Sequence, residues 1–148
     1  MNKRLLICFI LLSILGCQNE PKEIIKCNIN TQNGIGYYPE GVVFDGSCNI
    51  YYKDSIVFKT RTYKKGKLIK EIGYHIPGGE LEYIGHRKNG LIHGDFESYY
   101  TNGTKSIEGR LDQGFYVGKW KYWDEDGSLN KTLVYNKEGK KIDSIVHK

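Results

Sequence analysis

Polar and ring-bearing side chains alternate along this chain in short runs. Lys119-Trp120-Lys121-Tyr122 alternates cation and ring, Glu80-Leu81-Glu82-Tyr83 alternates acid and apolar residue, and Leu133 and Tyr135 lie two apart. A period of two with aromatic enrichment predicts strands, and no segment after residue 30 sustains a helical period. The runs are separated by Asn89-Gly90, Asn102-Gly103 and Asp126-Gly127, with Lys65-Gly66 and Glu138-Gly139 in equivalent places. Such pairs supply the positive φ angles that tight hairpin turns require. The pattern therefore predicts β-hairpins joined end to end.

These hairpins repeat. Gly66, Gly90 and Gly114 are spaced by 24 residues, as are Gly79, Gly103 and Gly127, Gly85 and Gly109, and Gly94 and Gly118. Tyr51-Tyr52 precede Tyr99-Tyr100 by two such periods. Four copies begin near Gly46, Lys70, Gly94 and Gly118, with a partial fifth in Asn33 to Phe44. The second copy replaces its Asn-Gly turn with Pro77-Gly78-Gly79. The fold class expected is all-β: an elongated antiparallel meander of β-hairpin repeats of about 24 residues, with a domain over 33–148. A sheet of this kind has no thick core, so the 12 tyrosines and 2 tryptophans are suited to cover neighbouring strands while keeping a polar edge in water.

Asn89-Gly90-Leu91-Ile92-His93-Gly94 resembles the Asn-Gly-x-x-His-Gly core of MORN repeats, and Gly118-x-Trp120-x-Tyr122-Trp123-x-x-x-Gly127 resembles the bacterial variant of that repeat. The resemblance covers about residues 46–142. Gln113-Gly114-Phe115-Tyr116-Val117-Gly118 departs from it by lacking the histidine. The resemblance implies a sheet of hairpins and does not imply catalysis. The roles it implies are membrane recognition, protein scaffolding or, in some bacterial members, an antitoxin-like activity, all of them associational.

The amino terminus reads differently. Met1-Asn2-Lys3-Arg4 is a positive segment, and Leu5 to Leu15 is almost wholly apolar. The run is too short to span a bilayer core of about 30 Å and fits a signal peptide over residues 1–16. It ends in Ile14-Leu15-Gly16-Cys17, which resembles the lipobox at which a lipoprotein is cut before a diacylated cysteine. Cys17 is thus the expected lipidation residue, residues 17–32 the tether, and the membrane a partner through the acyl chains. Gln18, rather than an aspartate, follows Cys17, and by analogy this favours the outer membrane over the inner.

Charge and cysteine usage agree with export. The whole chain carries 22 basic and 17 acidic side chains, a net +5; loss of Lys3 and Arg4 leaves 20 against 17, or +3. That excess is small and dispersed, so no nucleic-acid partner is expected. With Cys8 in the signal and Cys17 acylated, Cys27 and Cys48 remain as a candidate pair. They are either a disulfide, which in an oxidising compartment closes a loop of about 22 residues, or two buried thiols.

Candidate chemistry is sparse. His75, His86, His93 and His147 match no zinc spacing, and no Cys-x-x-Cys is present. Asp124-Glu125-Asp126-Gly127 opens like a calcium loop, but the position for its bidentate Glu is Tyr135, so the turn reading is preferred. No catalytic residues, metal or cofactor are expected. Tyr99, Tyr100, Tyr116, Trp120, Tyr122 and Trp123 form a candidate interaction surface for a protein or glycan, set against the plainer reading that these rings are the core of the repeat. The function expected is a non-enzymatic, membrane-anchored envelope lipoprotein whose repeat sheet serves as an interaction or structural module. An antitoxin- or immunity-like binder of a toxin is the alternative.

Overall fold

The structure is a computed structural model and describes residues 25–28, 30–32, 35–37, 41–53 and 55–147. The expected signal peptide and Cys17 lie outside the described residues. The described residues form twelve strands: β1 (Ile25–Lys26), β2 (Asn30–Gln32), β3 (Ile35–Tyr37), β4 (Gly46–Tyr52), β5 (Ile56–Lys64), β6 (Lys67–Tyr74), β7 (Leu81–Lys88), β8 (Leu91–Tyr99), β9 (Lys105–Asp112), β10 (Phe115–Trp123), β11 (Leu129–Tyr135) and β12 (Lys141–Val146). From β4 to β12 every strand pairs antiparallel with the next, giving an open meander of nine hairpin-linked strands. β1 adds to β4 in parallel, so the sheet has ten strands in the order β1-β4-β5-β6-β7-β8-β9-β10-β11-β12.

Two-residue turns and longer loops alternate from β5 to β11, and the β11–β12 loop repeats the longer class. The Lys65-Gly66, Asn89-Gly90 and Gln113-Gly114 turns have positive φ at both residues, 50° and 72°, 52° and 82°, 48° and 88°. That is the two-residue turn whose twist matches the flanking strands. Asn102-Gly103, Asp126-Gly127 and Glu138-Gly139 were expected in the same class and are not. Only the glycine of each pair is left-handed, and each loop is longer. Tyr100, Asp124 and Asn136 each donate a backbone N–H to the carbonyl four residues on and accept one from the glycine three residues on. Asn102, Asp126 and Asn136 side chains accept backbone N–H groups inside these loops, so they cap the turn instead of adopting its positive φ.

The amino-terminal part departs further from expectation. The described residues of segment 33–44, which are 35–37 and 41–44, do not extend the meander. β2 and β3 pair only with each other, while Gly36 donates to Gly66 O and accepts from Phe44, which in turn accepts from Gly66. The segment read as a tether is also partly built in: Ile25–Lys26 is a sheet strand and Cys27 is bonded to Cys48. Phe44, Cys48 and Tyr63 form a small core at this end, with Cys27 and Leu68 packed on it.

Elsewhere the sheet is covered by its own side chains. The register places Cys48, Arg61, Glu71, Gly85, Phe96 and Gly109 in one row across six strands. On the same face the Tyr83 ring lies over Gly73, and the Trp120 ring lies over Gly109, so closely that a Cβ at either glycine would fall within the ring. Trp120 is 2% exposed, and its Nε1–H donates to Arg110 O at 3.2 Å. Leu111 is the other buried apolar residue of this half among the described residues.

Two outcomes test this packing. Gly109→Ala should lower stability by about 2 kcal/mol through overpacking of the Trp120 ring. Gly85→Ala, where the nearest atom would be Phe96 at 3.7 Å, should be neutral or slightly stabilising. Denaturant midpoints of both variants decide this, and equal losses would refute the ring-over-glycine account. Removal of the Cys27–Cys48 bridge, whose residues are 21 apart in sequence, should cost about 3 kcal/mol, read in the same assay on a paired Ser variant.

Candidate interaction surface

Period-two alternation divides the six rings expected to form one surface. Trp120 and Tyr122 share the row-bearing face with Tyr83, Phe96, Tyr116 and Tyr135. There the rings contact in series: Tyr83–Phe96 centroids are 6.3 Å apart, Phe96–Trp120 6.0 Å, Trp120–Tyr116 4.1 Å and Tyr116–Tyr135 5.4 Å. We call this the ring face. Tyr116 is 43% exposed at its surface, whereas Trp120 is buried beneath it.

Tyr99 and Trp123 belong with the opposite, ionic face. A second row crosses nine strands there: Asn49, Thr60, Ile72, Ile84, Glu97, Glu108, Lys121, Thr132 and Ile145. Glu97 and Glu108 sit directly opposite one another, and like charges in that position repel. Lys105 relieves the repulsion by bonding Glu97 at 2.8 Å and Glu108 at 2.7 Å, with Lys121 at 3.7 Å from Glu108. The Tyr99 hydroxyl donates to Glu97 at 2.7 Å, and Lys105 Nζ lies 6.0 Å from the Trp123 ring centre. The bonds from Lys105 and Tyr99 hold the Glu97 carboxyl below its ordinary range. Those from Glu108 and Glu97 push the Lys105 ammonium up. Tyr100 serves neither face as a free ring, because its hydroxyl donates to Trp123 O at 2.8 Å and ties two adjacent loops.

The histidines are dispersed. His75, His86 and His147 bond to Tyr99 O, Asp95 O and the Thr132 hydroxyl, and His93 Nδ1 lies 3.1 Å from Asp112 Oδ1. Among the described residues no group of His, Cys, Asp or Glu converges as metal ligands.

Sequence reasoning missed the most buried ionic cluster. Glu71 is 4% exposed in the ring-face row. Arg61 Nε donates to its Oε2 at 2.7 Å, and the Tyr83 hydroxyl donates to Oε1 at 2.9 Å. Arg87 and Lys59 stand at 3.6 and 3.7 Å. Burial alone would raise the Glu71 carboxyl, but the Arg61 and Tyr83 bonds and the nearby cations outweigh it and hold the group low. Burial, and then the bond to Glu71, pushes the Tyr83 phenol up. The only signal in the sequence was an acid between two isoleucine-bearing positions, Ile69 and Ile72, in a strand segment.

No family model matches the chain, and no curated protein matches it either. Among solved structures, the crystal structure of the GtfA/B complex bound to UDP and GlcNAc shares 11% identity at a TM-score of 0.29. That alignment covers 80% of this chain and 28% of the other. A likeness of that size carries no argument here.

Glu71 makes stability depend on acid in a fixed direction. Its carboxyl is lower in the folded chain than in the unfolded one, near 4.5. Its contribution is therefore complete above that pH and is lost as pH falls through the folded-state value. Glu71→Gln should cost about 2 kcal/mol at neutral pH, from loss of charge-assisted bonds. The variant should also show a shallower decline in stability below pH 4.5 than the parent. Parallel denaturant series at pH values from about 3 to about 7 check both statements; superimposable slopes would remove the linkage.

Proposed function

We propose that the chain is a lipid-anchored envelope protein, without catalytic activity of its own, whose hairpin sheet is a binding module. The observation that carries the module reading is the segregation of the two sheet faces. One presents a contiguous series of rings and the other a network of paired charges. Phe115 at 59%, Leu91 at 49% and Tyr116 at 43% exposure add accessible apolar area. Exposed rings with charged neighbours are the residue types that anchor protein and glycan partners. The sequence resemblance to MORN repeats supports the same reading, since it implies hairpin sheets that bind rather than catalyse.

The anchoring half rests on Lys3-Arg4, the apolar run to Leu15 and the Gly16-Cys17 step. Acylation at Cys17 with two or three chains gives stable membrane attachment where one chain would not. Gln18 favours the outer membrane. The full-length chain should fractionate with membranes at a mass reduced by the signal and increased by the acyl groups. Cys17→Ser with the signal intact should keep its unprocessed mass and lose the lipid label. Unchanged mass and labelling between the two would end the reading of Cys17 as the anchor.

A further inference from the structure

The 24-residue repeat allows two places on the ring face to be compared position by position. Each is centred on a glycine paired with a neighbour from the preceding strand: Glu71 with Gly85 on β6 and β7, Phe96 with Gly109 on β8 and β9. Residues 24 apart then correspond. Tyr83, Arg87, Ile92 and Phe96 around the first glycine match Ile107, Leu111, Tyr116 and Trp120 around the second. At the second place the space is filled. Trp120 covers Gly109, Tyr116 stacks on Trp120 at 4.1 Å, and Leu111 is 6% exposed.

At the first place it is not. Phe96 is smaller than Trp120 and stays 3.7 Å from where a Cβ on Gly85 would stand. Ile92 replaces the stacking Tyr116. What remains is a half-open cavity of about 250 Å³ lined by Glu71, Tyr83, Gly85, His86, Arg87, Ile92 and Phe96. Its shape is set by the ring and the smaller side chain that the neighbouring repeat supplies from its own sequence. Its charge differs too. Where that repeat has Leu111, this one has Arg87; Glu71, which pairs with Gly85 as Phe96 pairs with Gly109, is outnumbered by Arg61, Lys59 and Arg87. Of these three cations Arg87 lines the cavity, and at 27% exposed it is open to an incoming anion. A volume below the 300–1,000 Å³ or so of small-molecule sites suits one ring system rather than a cofactor.

We propose that this cavity receives an aromatic side chain flanked by acidic residues from a protein partner, the ring lying over Gly85 and a carboxylate meeting Arg87. The inference rests on the reading of the sheet as a binding module, and it names the chemistry that module recognises. It does not depend on the anchor. The ring gains apolar contact with Tyr83, Ile92 and Phe96, and the carboxylate offsets the local excess of positive charge.

The test titrates the full chain in detergent micelles with the peptide Ac-Glu-Trp-Glu-NH2, read by backbone amide shifts. Saturable shifts centred on Gly85, Arg87 and Ile92 are expected, with binding of Ac-Lys-Trp-Lys-NH2 and Ac-Glu-Ala-Glu-NH2 weaker by about tenfold each. Phe96→Trp and, separately, Ile92→Tyr install the residues of the neighbouring repeat, so each should keep the fold, seen as an unchanged melting transition, and abolish binding. Arg87→Leu should leave the tryptophan requirement and shrink the preference for the acidic peptide to about threefold or less. No saturable shift for the wild type up to about 10 mM peptide, a free energy too weak for a site, would overturn the proposal. Equal binding by wild type and a folded Phe96→Trp or Ile92→Tyr chain would overturn it as well. Membrane fractionation of Cys17→Ser reads the anchor alone, so the two proposals can fail separately.

Discussion

A ring laid across the strand next to it is the contact that makes a single sheet sufficient as a fold. With no second layer over β7 to β12 among the described residues, apolar surface there is hidden chiefly by side chains of neighbouring strands on the same face. Trp120 over Gly109 and Tyr83 over Gly73 show the geometry required: a wide flat group on one strand and no side chain beneath it on the next. Glycine in a strand interior ordinarily weakens it. Here it permits a ring to lie nearly flat, and the area that ring removes from water outweighs the loss of backbone preference. The indole N–H and the phenol O–H stay satisfied because each ring edge meets a carbonyl or a carboxylate, as Trp120 meets Arg110 O and Tyr83 meets Glu71.

The same arrangement explains what could be read from the chain alone. Turn spacing and alternation carried the architecture, because a meander depends only on local signals: where each strand stops, and which residues tolerate left-handed backbone. The class of each turn was less legible. Asn102-Gly103 and Asn89-Gly90 are the same dipeptide, yet one caps a longer loop and the other makes a two-residue turn. The rest of each loop, not the pair itself, decides between them.

Pairing beyond the turns was hidden by bulges. Counting back from Lys65-Gly66 sets Arg61 against Lys70. The register shift between Thr62 and Tyr63 sets it against Glu71 instead. One extra residue moves every subsequent side chain to the other face. The shift brings Glu71 to the ring face, where Arg61, Tyr83 and Arg87 surround it, and no composition or spacing argument anticipates that. The six rings near residues 99–123 were divided for the related reason that proximity in sequence says nothing about side. Read together, the bulges sort the polar groups. On the ionic face Lys105 bridges Glu97 and Glu108 while Asp95 pairs with Arg110, and the buried carboxylate on the ring face is held by several cations.

The two ends of the sheet are finished differently. At β4 the edge strand is covalently tied through Cys48, capped by β1, and overlain by Phe44 and the Gly36–Gly66 crossing. At β12 every residue is exposed, and the strand has a neighbour on one side only. Cooperativity in a nearest-neighbour array passes from strand to strand, so resistance to opening should fall along it rather than be shared evenly. The molecule thus has a built-in direction of unzipping. Carboxyl-terminal hairpins open and reclose as local events, while the disulfide end acts as the clamp from which they regrow.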